Sequence, residues 1–238
     1  MIYLNNAGQA LLSPEVRAAG VAALEQMPWE PHGSDDQQPI RECFATLIDA
    51  ESTDIAIVPS TAFAITMAAR NIQRTCAKPR GKILLLQDQF NSAVYPWQQI
   101  VEESNGLIHM EIIPHPAADI EDGWTKAILD RIDQTVIVTC LPPLHWSNGA
   151  LIDLEMIGRK CREYDVPLIV DATQGKNRAC RLRLLLNHLC LNDLYRTKLA
   201  VGIIQVSVKK IQPVFLACSV HKVSRLRLEP YTCLPLWS

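Results

Sequence analysis

The stretch VPLIVDATQ, residues 166–174, decides the fold class. It is a short apolar run that ends on the carboxylate of Asp171, and such runs between helical patterns are typical of buried parallel strands. Two earlier runs, KILLLQD (82–88) and TVIVTCL (135–141), have the same character. Because helical periodicity lies between these runs, the sequence predicts an α/β fold built on a mainly parallel sheet.

Helix start signals support this alternation of strands and helices. Ser13 as N-cap and Pro14 at the first helical position predict a helix over 13–27. Asp153 is a second N-cap residue and predicts a helix over 153–165. A further element, residues 55–72, is predicted as the short apolar strand IAIV followed by a helix that begins near Ser60.

Composition and charge narrow the functional class. Hydrophobic residues make up 48% of the 238 positions and charged residues 20%, as in globular proteins. A formal net charge of −2 favours neither nucleic acid nor an anionic membrane as a partner. The eight cysteines form no C-x-x-C pair, and no apolar run reaches the roughly 18 residues of a membrane span. We therefore expect a cytoplasmic protein without a bound metal.

Ligands of parallel α/β sheets bind at the carboxyl ends of the strands, so the residues after each apolar run are the candidates for a site. These exits read DQFNS, LPPLHWSNG and DATQ, which supply an aromatic ring, amides and a carboxylate. Ser60 and Thr61 lie where a helix is predicted to begin, and backbone N–H groups at a helix N-terminus stabilise a phosphate.

In this order, five segments resemble the class V aminotransferases, the fold-type-I pyridoxal-phosphate enzymes related to cysteine desulfurases, kynureninases and isopenicillin N epimerase. The resembling segments are YLNNAGQALLSPEV, PSTAFAI, DQFNSAVYPW, VDATQ and SVHK. The resemblance implies a three-layer large domain, pyridoxal 5'-phosphate as cofactor, an amino acid as substrate, and a homodimer in an intact family member. It also implies that the smaller C-terminal domain, with its carboxylate-binding arginine, is missing.

The same resemblance implies roles for individual residues. Lys222 and Asp171 would be catalytic, with Lys222 forming a Schiff base with the cofactor aldehyde and Asp171 holding the proton on the pyridine nitrogen. Phe90 would stack on the cofactor ring. The predicted cofactor-binding set is Ser60, Thr61, Ala62, Phe90, Asp171, Gln174, Ser219, His221 and Lys222. The predicted substrate-binding set is Asn5, Asn6, Gly8 and His145.

Each role has a plainer structural alternative. Asp171 could be a cap after a strand, Lys222 a solvated surface lysine, and Phe90 a core residue at a strand end. His145 could be a half-buried loop histidine. Trp146 stands where the desulfurase pattern has an asparagine, so no asparagine contact to the cofactor is assigned.

The distance between the aspartate and lysine motifs departs from the family pattern. Residues 175–212 carry eight basic side chains against one acidic side chain and match no family element. We interpret them as an inserted segment, with a retained intron as the hypothesis, because Gly-Lys and Ile-Gln at its ends are compatible with splice-site codons. The predicted organisation is an N-terminal segment 1–30, a cofactor-binding part 31–174, the insert 175–212 and a lysine-motif remnant 213–238.

Two other functions compete with a pyridoxal-phosphate enzyme that is impaired by truncation. The first is a catalytically inactive fragment or mis-spliced product that keeps only the cofactor-binding fold. The second is a nucleotide-binding Rossmann domain, which the sequence disfavours because neither G-x-G-x-x-G nor G-x-x-x-x-G-K-[ST] follows a strand.

Overall fold

The computed structural model describes residues 14–25, 37–117, 122–173 and 206–219. The helices are α1 Pro14–Glu25, α2 Gln38–Ile48, α3 Thr61–Thr75, α4 Tyr95–Glu103, α5 Gly123–Leu129, α6 Leu154–Glu163 and α7 Val208–Ile211. The strands are β1 Gly81–Leu86, β2 Ile108–Ile113, β3 Val136–Leu141, β4 Leu168–Asp171 and β5 Phe215–Ala217. Two short 3-10 helices cover Ser52–Asp54 and Asn91–Ala93.

The five described strands form one parallel sheet in the order β2-β1-β3-β4-β5. The predicted α/β fold with a parallel sheet is confirmed. The three apolar runs predicted as strands became β1, β3 and β4, which occupy the centre of the sheet. Central parallel strands are covered on both faces, so nearly continuous apolar runs suit them.

Helices cover both faces of the sheet and create two apolar cores. Leu84 and Leu86 of β1 face a core that includes Trp124 of α5 and Ile157 of α6. Their neighbours on β1, Ile83 and Leu85, face the other core, which is built by α3 and α4. Side chains alternate between the faces of a strand, so a single apolar strand contributes to both layers. The result is a three-layer helix-sheet-helix arrangement.

The helix start signals were accurate where the structure describes them. Ser60 Oγ accepts the backbone N–H of Phe63 at 3.1 Å and caps α3. Asp153 Oδ1 accepts the N–H of Met156 at 2.8 Å and caps α6. The helix predicted over 13–27 is α1, which is shorter, and Ser13 lies outside the described residues. Throughout the described ranges, no helix has the length and apolarity that crossing a membrane requires.

Two strand expectations need correction. Residues 55–58 form no strand, and the Ile57 and Val58 side chains are 42% and 39% exposed. An apolar run becomes a strand only when another segment pairs with its backbone, and no described residue pairs with this one. Conversely, β2 was not predicted. Its sequence, IHMEII, contains two polar residues, which an edge strand tolerates more readily than a central one.

The end of the predicted insert packs against the rest of the described structure. Val206, Ser207 and Ile211 are buried, and the Ile211 carbonyl accepts a hydrogen bond from Arg162 Nη1 at 3.0 Å. Ser207 Oγ donates to Asp49 Oδ2 at 2.8 Å, beyond the end of α2. Residues 206–212 therefore pack against the sheet's helical layer. The part of the insert from 175 to 205 lies outside the described residues.

Candidate functional site

The carboxyl ends of β4 and β5 meet the N-terminus of α3 at one edge of the sheet. Thr173 is the centre of this junction. Its hydroxyl oxygen lies 3.3 Å from the Thr61 hydroxyl oxygen and accepts the backbone N–H of Ser219 at 3.3 Å. Segments that are distant in sequence are thus joined by side-chain hydroxyls at the edge where ligands of such sheets bind.

Asp171 ends β4 beside this junction, as predicted. It is 6% exposed, and its Oδ1 accepts the backbone N–H of Thr173 at 3.1 Å. Burial, with a further contribution from the Asp171 charge, raises the pKa of the Cys140 thiol on the neighbouring strand. A buried carboxylate at a strand end is a strong recognition element for a cationic group, because little water screens its charge.

The N-terminus of α3 provides the second element of the site. Ser60 uses its hydroxyl to cap the helix, whereas Thr61 directs its hydroxyl to Thr173. The backbone N–H groups of the first turn and the dipole of this 15-residue helix create positive potential there. The side chains of Ser60 and Ala62 are exposed at this end, so the edge is accessible. This arrangement suits a phosphate group.

Phe90 follows β1 and is presented by a turn that is tightly hydrogen-bonded. The ring is 46% exposed and meets the Trp146 ring edge to face, with centroids 5.8 Å apart. Gln89 is buried beneath it, accepts the N–H of Leu86 at 2.9 Å and donates to the Cys140 carbonyl at 2.9 Å. Phe90 is therefore not a core phenylalanine. Through Gln89, its turn contacts β3, the strand that pairs with β4 and its final residue Asp171.

His145 does not occupy the position expected of a substrate contact. Its side chain is fully buried rather than half-buried, and its ring stacks on Trp124 with centroids 4.9 Å apart. Both ring nitrogens have partners: Nε2 lies 2.9 Å from the Gln87 carbonyl and Nδ1 lies 2.9 Å from Ser147 Oγ. Burial lowers the pKa of His145, so the imidazole is neutral near pH 7.

Several predicted site residues lie outside the described ranges: Asn5, Asn6, Gly8, Gln174, His221 and Lys222. Thr173 was not predicted as a site residue, although its place between Asp171 and Gln174 in the DATQ motif was the available signal. Within the described residues, no group of three or more His, Cys, Asp or Glu side chains could hold a metal ion.

Comparison with known proteins identifies the family of the chain. Residues 2–179 match the family model described as Aminotransferase class-V. The chain belongs to the class V aminotransferase family.

Two curated relatives are each described as a probable cysteine desulfurase. The protein of Xylella fastidiosa (strain 9a5c) is 25% identical over 138 residues, which are 57% of this chain and 32% of the relative. That of Pyrococcus abyssi (strain GE5 / Orsay) is 23% identical over 205 residues, 85% of this chain and 42% of the relative.

Solved structures share the fold of this class V aminotransferase family member. The Escherichia coli cysteine desulfurase CsdA (S-sulfonic acid) superposes with a TM-score of 0.70 at 18% identity, covering 91% of this chain and 50% of CsdA. The apo cysteine desulfurase of Thermococcus onnurineus NA1 gives 0.68 at 18% identity, covering 92% and 50%. The chain thus spans about half the length of these structures and less than half that of the curated relatives.

Proposed function

We propose that this chain binds pyridoxal 5'-phosphate at the Asp171 edge of the sheet and acts on an amino acid through a Schiff base on Lys222. The observation that carries the proposal is the junction of Thr61, Thr173 and Ser219 beside the buried carboxylate. Family membership and the resemblance of the SVHK motif support it. One structural relative is a mutant of C-DES with glycine covalently linked to its PLP cofactor. It has a TM-score of 0.65 and 16% identity, and the match covers 92% of this chain and 52% of the C-DES chain.

The donor set fits the three chemical parts of the cofactor. The N-terminus of α3 with the Thr61 hydroxyl suits the phosphate, and the backbone N–H of Ser219 lies at the same junction. The Asp171 carboxylate suits a protonated ring nitrogen, since the charges are opposite and the site is poorly solvated. The exposed face of Phe90 suits a flat aromatic ring.

Each residue would have a separate task in catalysis. Pyridoxal phosphate supplies an electron sink when it is bound. Asp171 would keep the proton on the ring nitrogen, and Phe90 would fix the plane of the ring. Lys222 comes three residues after Ser219, so an extended chain could carry it at most about 11 Å from that junction. Its amine would provide the attachment point and then transfer a proton as a general base.

Trapping the cofactor on the protein tests this proposal. The full chain is mixed with pyridoxal phosphate, reduced with borohydride and digested, and the labelled peptide is identified by mass spectrometry. We expect a visible imine absorbance band and label on Lys222. Lys222→Ala should abolish the band and the label, whereas Lys126→Ala, at an exposed lysine of α5, should preserve both.

The outcomes separate the two functional hypotheses. Label that is scattered over surface lysines, with no visible band, would contradict the proposal. Specific labelling of Lys222 without turnover of any amino acid would favour the alternative of a protein that retains the cofactor-binding fold without activity.

A further inference from the structure

The turn that carries Phe90 is held from outside by two neighbouring residues of one loop. Trp146 Nε1 donates to the Asp88 carbonyl at 2.6 Å, and His145 Nε2 lies 2.9 Å from the Gln87 carbonyl. The carbonyl groups of Gln87 and Asp88, which are consecutive residues, thus each accept a hydrogen bond from a side chain 58 positions later in the chain. We call His145 and Trp146 the turn clamp.

The protonation of His145 follows from its partners. The Gln87 carbonyl can only accept, so Nε2 carries the proton and donates it. Nδ1 therefore accepts a hydrogen bond from the Ser147 hydroxyl at 2.9 Å. The stacked contact with Trp124 fixes the plane of the ring. A buried imidazole with both nitrogens engaged has no remaining capacity for a substrate and is suited to holding the turn.

Trp146 combines two contacts that bear on Phe90. Its indole N–H fixes the backbone two residues before Phe90, and its ring packs edge to face on the Phe90 ring at an interplanar angle of 86°. Because Phe90 is half-exposed, a neighbour that packs on its ring restricts the orientations it can adopt. An edge-to-face neighbour leaves a ring face available for stacking on a ligand.

The backbone of the turn needs such support. Asp88 has φ +56°, in the left-handed region that non-glycine residues enter at some cost and that surrounding contacts must maintain. The Asp88 carboxylate is also held, since Oδ2 lies 3.0 Å from His115 Nε2. The Gln87 side chain accepts the backbone N–H of His115 at 3.1 Å. These two contacts and the two clamp hydrogen bonds all act on Gln87 and Asp88, which lie three and two positions before Phe90.

We propose that His145 and Trp146 are positioning residues: they hold the 87–90 turn so that the Phe90 ring is oriented for stacking on the cofactor. This inference rests on the proposed function, because it assigns the turn clamp a purpose only if a planar cofactor binds beside Asp171. It also gives Trp146, which replaces the asparagine of the desulfurase pattern, a role of its own.

The test uses the full chain and a substitution that removes one clamp hydrogen bond. Trp146→Phe keeps an aromatic ring against Phe90 but has no N–H for the Asp88 carbonyl. Met156→Ala is the control, because Met156 is an exposed side chain of α6 that is not part of the clamp.

Two measurements are made on each variant. Hydrogen exchange by mass spectrometry follows the peptide 86–94. In this peptide the amides of Gln89, Ala93 and Val94 donate to the carbonyl groups of Leu86, Phe90 and Asn91, respectively. Absorbance titration follows the affinity for pyridoxal phosphate. For Trp146→Phe we expect exchange in this peptide to become about fivefold faster and cofactor affinity to fall about fivefold, which is the effect of losing one hydrogen bond. Met156→Ala should match the wild type in both measurements.

The results separate the inference from the function on which it rests. Unchanged exchange in Trp146→Phe, or faster exchange with unchanged affinity, would overturn the positioning role while leaving cofactor binding by the wild type intact. A wild-type chain that binds no cofactor would instead refute the proposed function, and the positioning role with it.

Discussion

Replacing Gly158 by alanine tests whether residues 206–212 belong to the folded core. Gly158 lies in the interior of α6, and a Cβ built on it would come within 2.3 Å of the backbone oxygen of Ile211. Real Cβ atoms do not approach a backbone oxygen so closely, and the Ile211 backbone cannot rotate away as a side chain could. Gly158→Ala would therefore push α7 off α6 or strain both elements.

Two opposing contributions determine how much Gly158→Ala changes the free energy of unfolding. Overpacking of a well-packed site costs about 1–3 kcal/mol, and displacing α7 instead would expose Ile211, whose burial contributes about 1.5–3 kcal/mol. The higher helix propensity of alanine returns about 1 kcal/mol. We expect a net loss of about 1 kcal/mol, and at most about 2 kcal/mol, in the free energy of unfolding.

Urea denaturation followed by far-UV circular dichroism measures this change, with Gly20→Ala as the control. Gly20 also lies inside a helix, α1, but its Cβ would meet nothing within 4 Å, so alanine there should not destabilise the protein. The two hypotheses for residues 206–212 predict opposite signs at Gly158. If that segment were loosely docked, alanine would gain about 1 kcal/mol through helix propensity alone. A stabilised Gly158→Ala variant would refute the packing argument.

Three further predictions concern the site and the surface. Asp171→Asn keeps an acceptor for the Thr173 N–H, so the fold should survive. Loss of the charge opposite a bound cation costs about 3–5 kcal/mol and should lower kcat/KM by roughly 10²–10⁴ in steady-state assays. Phe90→Leu should leave the melting temperature nearly unchanged, because the ring is half-exposed, but should weaken cofactor binding about threefold to tenfold in an absorbance titration. Hydrogen bonds and charge from Arg70 hold the pKa of Glu103 at about 2, below its ordinary 4.5, so the stabilisation from this pair should be present above pH 4.5 and be lost as the pH falls toward 2. Thermal melts of Glu103→Gln should accordingly differ from the wild type at neutral pH and approach it as the pH falls to 2. A difference that is as large at pH 2 as at pH 7 would contradict the assignment.

Local sequence was sufficient to predict the central sheet, two helix starts and the strand end that carries Asp171. These features depend on short-range patterns. An apolar run of about four to seven residues between helical segments has few stable solutions other than a buried parallel strand. Ser60 and Asp153 cap their helices through contacts with residues three positions away, so no distant partner was needed. The place of Asp171 then followed from where β4 ends.

Tertiary structure decided the features that depend on distant partners. Residues 55–58 have the composition of a strand, but no described segment pairs with them, whereas the more polar β2 gained a partner in β1. His145 is buried because Trp124 and the Gln87 turn close over it, and its own sequence neighbours do not show this. Residues 206–212 resembled an insert by charge and spacing, yet Ile211 fits against Gly158, where the absence of a side chain lets two backbones approach. Backbone pairing, burial and close approach are set by groups far along the chain, and these groups become neighbours only when the chain folds.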